Sequence, residues 1–139
     1  MIDSLLSLLG RFHPLIIHLP IGFIAMGLLI DINKKKFKWS NEALKFIFFW
    51  AAISGIFSII SGYFQYEKGE YTWETIDGHF YAGVSTVLLS FCFYLYLSGV
   101  SFFISLPRKL YSLGHIILLT ITGHLGGNIT HGEDHLTQP

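Results

Sequence analysis

The chain has 139 residues, of which 52% are hydrophobic and only 13% charged, and its mean hydropathy is +0.54. A soluble domain carries about 25% charged residues, so this composition excludes an ordinary soluble fold and predicts an integral membrane protein. Nine Lys and Arg balance nine Asp and Glu, which gives no reason to expect a nucleic-acid partner.

Read in chain order, Ile2–Leu9 is a short apolar stretch before Arg11, too short to span and expected to lie at the interface. No small-residue cleavage pattern follows it, so the first long apolar run is expected to be an uncleaved anchor. That run extends from about residue 14 to 32, the second from about 43 to 64, the third from about 79 to 106 and the fourth from about 110 to 129. Each is near or above the roughly 20 residues needed to cross the hydrocarbon core. The third exceeds one straight span, so it must tilt, or its Ser101–Leu106 end must lie at the interface. The expected fold is an all-α bundle of four transmembrane helices forming one domain over residues 1–139. The lone Cys92 excludes a disulfide within the chain, and no Cys-x-x-Cys-His is present for covalent haem attachment.

Lys34, Lys35, Lys36, Lys38 and Lys45 cluster around the first connection, and Arg108 and Lys109 in the third, so seven of the nine basic residues fall on one side. The opposite side holds Asp3, Glu67, Glu70, Glu74, Asp77, Glu133 and Asp134. The excess of Lys and Arg marks the cytoplasmic side. Both termini and the Gln65–Gly78 loop are then expected on the outer, periplasmic side, in a bacterial inner membrane.

This topology gathers six of the seven histidines toward the outer end: His13, His18, His79, His124, His131 and His135, with His115 near mid-membrane. Ionisable groups within spans are rare and usually functional. Gly22 follows His18 by four residues and Gly83 follows His79 by four, so each shares a helix face with its histidine. His124 sits among Gly123, Gly126 and Gly127. Small residues also serve ordinary close helix packing, but flat surfaces beside imidazoles suit a flat macrocycle. Imidazole binds zinc, copper and haem iron alike. Two axial histidines separate their Cα atoms by roughly 12 Å, more than the 8–10 Å between packed neighbours. Diagonal helices meet that distance, and the first and third are diagonal in an up-down ring. The preferred axial pair is therefore His18 with His79, with one haem b, or two if His124 pairs with His13 or His131. If the third helix does not tilt enough to match His18 in depth, His13 replaces His18 or His124 becomes the partner.

Pro20 frees the carbonyl of Ile16 and could kink the first span. Asp77 is expected to cap the third. His115 lies nine residues from His124 and faces the other way, so it is expected to bond a neighbouring helix. His131 and His135 flank two carboxylates in a solvated tail. No nucleophile–base set and no phosphate loop is present.

The stretches Phe12-His13-Pro14-Leu15-Ile16-Ile17-His18-Leu19-Pro20-Ile21 and Thr122-Gly123-His124-Leu125-Gly126-Gly127-Asn128-Ile129-Thr130-His131-Gly132 resemble the FHPxxxHxPI opening and TGHxGGxxTHG closing of an uncharacterised bacterial family of small four-helix membrane proteins. Those domains often precede c-type cytochrome domains on the outer side. The resemblance covers the whole chain and implies electron transfer, with His13, His18, His124 and His131 as motif positions and His79 by its place at the head of the third helix. The chain departs from that pattern in stopping at Pro139 with no cytochrome c domain, so any c-type partner is expected to be a separate chain or to have been removed. The expected function is a b-type cytochrome passing electrons near the outer face, between quinone and an external c-type cytochrome, as an electron carrier rather than a stand-alone enzyme. The alternatives are a copper or zinc binding or transport subunit, and a structural anchor of a larger respiratory complex. Whether the chain is a homo-oligomer or a subunit of such a complex stays open.

Overall fold

The computed structural model describes residues 8–36, 40–68 and 71–132. Most of the Ile2–Leu9 stretch, and Lys38, Glu70, Glu133, Asp134 and His135, lie outside the described residues. Among those described the chain is all-helical: α1 His13–Ile16, α2 His18–Ile32, α3 Ser40–Tyr66, α4 Trp73–Leu97, α5 Ser101–Ile104 and α6 Arg108–His131, with a 3-10 turn at Lys34–Lys36. Three segments are long and apolar enough to cross a membrane: His13–Ile32, Ser40–Tyr66 and Trp73–Leu97. Their outward residues, among them Leu15, Leu29, Phe46, Phe57, Leu88 and Phe91, are large and apolar, as a lipid environment requires.

Proline and glycine set the breaks. Pro20 offers no N–H to Ile16, and the first span is interrupted at Ile17, between α1 and α2. The third apolar run does not form one helix. It stops at Leu97, where the Val100 amide reaches back to the Leu95 carbonyl and Gly99 takes φ +85°. A side chain there would be strained, so the surplus length becomes a turn and the short α5. At the other end α4 begins six residues before His79, with Thr72 at the N-cap position. Asp77 therefore lies inside the helix, where its carboxylate accepts the Gly78 amide.

The helices pack in sequence, α2 on α3, α3 on α4 and α4 on α6, while α2 and α6 touch more sparsely. The first and third spans are thus diagonal, as an up-down ring demands. The interior changes along the bundle. Toward the basic connections it holds Ile24, Leu44, Phe48, Phe93 and Tyr111. Phe48 and Phe93 meet edge to face at 4.6 Å, a favoured aromatic geometry. Toward the opposite end the buried positions of α3 become Ala51, Ala52, Ser54, Gly55, Ser58 and Ser61, and those of α4 become Ser90, Thr86 and Ala82. One end of the bundle is filled by rings and branched side chains; the other is lined by small and hydroxyl-bearing ones.

A charge cluster closes the filled end. Asp31 of α2 is buried and accepts Arg108 Nε at 2.6 Å and Ser112 Oγ at 2.6 Å, both from α6. Arg108 also donates Nη1 to Asn41 Oδ1 of α3 at 3.0 Å, and its guanidinium lies 5.9 Å from the Phe93 ring centroid. Each ion keeps polar partners, which a buried pair needs to offset its desolvation.

Candidate functional site

The small-residue end carries two inward imidazoles. On the first span the buried residues Pro20, Ile24, Gly27, Leu28 and Asp31 form a stripe, and extending that stripe by helical spacing reaches His13, not His18. On α4 the buried stripe Ala82, Thr86, Ser90 and Phe93 extends back to His79. Both imidazoles are half-buried, and they lie close enough to interact electrostatically.

Each ring is held the same way by the next helix in the chain. His13 Nδ1 lies 3.0 Å from Ser61 Oγ on α3. The Ser61 hydroxyl faces the Ser58 carbonyl at 2.9 Å as well; when it donates its proton there, Ser61 accepts from His13, whose Nδ1 then carries the hydrogen. His79 Nδ1 lies 3.0 Å from the Thr122 carbonyl on α6, which can only accept. A neutral His79 is thereby fixed as the Nδ1–H tautomer with the Nε2 lone pair unprotonated, and His13 takes the same tautomer when Ser61 donates to Ser58. Among the described residues neither Nε2 has a hydrogen-bond partner.

Glycines make room for these rings. A Cβ on Gly62 would come within 2.9 Å of His13 Cε1, and one on Gly126 within 2.9 Å of His79 Cε1. The two half-sites therefore repeat one device: an imidazole at the small-residue end of a span, laid against a glycine on the next long helix and tied there through Nδ1.

The other sequence-derived candidates fall elsewhere. His18 is exposed, and its Nδ1 bonds the Pro14 carbonyl at 2.6 Å on its own helix. A Cβ on Gly22 would meet nothing within 4 Å, nor would one on Gly83, so neither glycine clears space for a histidine. His124 is exposed, with Nε2 3.5 Å from Asn128 Nδ2; His131 is exposed with Nδ1 2.7 Å from Thr130 Oγ1. Gly127 is half-buried in α6, one residue past Gly126. His115 is fully buried and bonded at both nitrogens, to the Tyr111 carbonyl at 2.7 Å and Ser90 Oγ at 3.1 Å. The sequence reading singled out neither Ser61 nor Asp31, for which the inward stripe of each helix carried the signal; Gly62 stood out by sharing a face with Gly55, and Thr122 only as the start of the closing stretch.

The donor set suits some ligands better than others. No group of three or more His, Cys, Asp or Glu side chains converges among the described residues, whereas a structural zinc site takes four converging ligands. Two imidazoles on the first and third spans stand at this end, in an interior of Gly, Ala, Ser and Thr. The chain matches no protein-family model, no curated protein and no solved structure.

Proposed function

We propose that this is a four-span membrane protein that holds haem b between His13 and His79 and carries electrons near the outer face of the membrane. One observation carries the reading: both inward imidazoles are tied through Nδ1 to oxygen atoms on neighbouring helices, leaving both Nε2 atoms free. Oriented ligation of this kind is how metal-binding histidines are held. His13 and His79 bind; Ser61 and the Thr122 carbonyl orient; Gly62 and Gly126 let the rings lie flat; the apolar lipid-facing shell limits water. Haem bound there supplies a one-electron couple, with potential set by axial ligation, hydrogen bonding and burial.

The fourth span is α6. Its 24 residues extend about 36 Å at 1.5 Å per residue. Its hydropathy is diluted by Ser112, His115 and Thr122, which bond inside the bundle, while Leu110, Leu113, Ile116, Ile117 and Ile121 are exposed. With the Lys- and Arg-rich connections cytoplasmic, the histidine end faces outward, in a bacterial inner membrane. An external c-type cytochrome and a membrane quinone are the proposed electron partners.

The test is the absorption spectrum of the purified protein, in the wild type and in alanine variants. The expected result is a Soret band with reduced-minus-oxidised α bands, lost in His13→Ala and in His79→Ala and kept in His18→Ala and His115→Ala. A colourless protein with stoichiometric zinc or copper would replace haem with a metal site. Loss in His18→Ala with retention in His13→Ala would reassign the first-span ligand.

A further inference from the structure

Among the described residues His115 is the one fully buried histidine, and the proposed ligand site does not use it. Its hydrogen bonds do not balance for a neutral ring. The Tyr111 carbonyl at 2.7 Å can only accept, so Nδ1 carries a proton. The Ser90 hydroxyl has one proton but faces two acceptors, the Thr86 carbonyl at 2.9 Å and His115 Nε2 at 3.1 Å. If Ser90 donates to Thr86, Nε2 must also carry a proton to bond Ser90. All three contacts are made together only by the imidazolium; a neutral ring gives one up.

The same hydroxyls lead toward the ligand site. Thr86 Oγ1 donates to the Ala82 carbonyl and Thr122 Oγ1 to the Leu118 carbonyl, so these hydroxyls, 3.5 Å apart, have no proton left to join them; the Thr122 carbonyl accepts from His79. The groups packed on His115 are Phe48 of α3, at 5.0 Å between ring centroids, and Phe93 and Ser90 of α4. Phe48 and Phe93 separate it from the nearest charges, Asp31 and Arg108, which neutralise each other. The titratable neighbours on the Tyr111 side are Tyr111 itself, Tyr96 and Cys92, none of which supplies a fixed charge.

We propose that His115 is a buried proton-binding site, coupled through its charge, along the interface of α4 and α6, to the His79 end of the bundle. On uptake, a proton forms the Nε2–H bond of His115, and the Ser90 hydroxyl turns its single hydrogen to the Thr86 carbonyl. The proton comes from hydronium, whose O–H bond breaks to leave water, and the Ser90 oxygen now accepts from Nε2 where its hydroxyl had donated. Positive charge placed at the His79 end opposes this proton, and charge removed there favours it. That linkage rests on the proposed ligand site, whereas proton binding itself does not.

The experiment is nitrogen-15 NMR of histidine-labelled protein in detergent across pH, with His115→Phe used for assignment. The expected result is Nδ1 protonated throughout and Nε2 gaining its proton at low pH within the folded range. In Ser90→Ala, which removes the shared hydroxyl but not the ring, the Nε2 transition moves to lower pH. An Nε2 without a proton across the folded range, or a transition unmoved in Ser90→Ala, overturns the proposal. Adding ferric haem is expected to lower the His115 transition by about half a pH unit; no shift with haem bound overturns the linkage. Failure of haem to bind overturns the ligand site and leaves the proton-binding result standing.

Discussion

When the Ser61 hydroxyl donates its only proton to the Ser58 carbonyl, it fixes what His13 can do. Ser61→Ala removes the acceptor and frees the ring to take the other tautomer, so haem affinity is expected to fall about 10- to 100-fold, the usual cost of losing an outer-shell partner. Equilibrium titration with haem measures it, and an unchanged affinity would remove Ser61 from the site. The glycines give a sharper contrast. Gly62→Ala sets a Cβ within 2.9–3.4 Å of three atoms of the His13 ring, so the ring must move. Gly22→Ala adds a methyl where nothing lies within 4 Å. Haem retention is expected to drop in the first and stay at wild-type level in the second, with helix content by circular dichroism unchanged in both. Spacing alone made Gly22 and Gly83 attractive, because each sits one turn beyond a histidine. Spacing along one helix cannot tell which side of that helix meets another, and the useful glycines, Gly62 and Gly126, lie on the helix that follows.

At the scale of elements, α3 reads from basic end to histidine end as Leu44, Phe48, Ala51, Ser54, Gly55, Ser58 and Ser61 on its buried side. That fall in side-chain size is legible in the sequence once the buried face is known. Finding that face takes a partner, since a span apolar all round hides its own interior. The four helices were legible because apolar length depends on composition alone. Their ends were not: α4 reaches back to Trp73 through polar residues and stops at Leu97, where a positive-φ glycine ends it. The Asp31–Arg108 pair was hidden for a similar reason, since its partners lie 77 positions apart. It joins the first and last helices, which otherwise touch sparsely. Asp31→Ala leaves a buried guanidinium unpaired and is expected to destabilise the bundle by about 3–5 kcal/mol. The double variant Asp31→Leu with Arg108→Met, which removes both charges, is expected to lose less. Thermal unfolding in detergent, followed by circular dichroism, tests this, and equal losses in both variants would show that the charges do not depend on each other.

For the whole molecule, the side of the membrane on which the end of α6 lies depends on whether α6 crosses. The segments His13–Ile32, Ser40–Tyr66 and Trp73–Leu97 qualify as spans by length and hydropathy. If only these cross, the residues after α6 share a side with Lys34–Lys36 and Arg108. If α6 crosses as well, the end of α6 joins His13 and His79 on the opposite side. Packing favours the crossing, since α6 runs the length of the bundle from Arg108 at the Asp31 cluster to Thr122 and Gly126 beside His79. Contact with both ends of the bundle is what supports the proposed fourth crossing. The Lys and Arg bias sets the direction, because the basic connections stay in the cytoplasm. A reporter fused after Ile32 is therefore expected to give a cytoplasmic signal, and one fused after Pro139 an external signal. Cytoplasmic signals from both would mean three crossings and would take α6 out of the membrane. An external signal after Ile32 would invert the bundle and put His13 and His79 at the inner face, where an external cytochrome could not reach them.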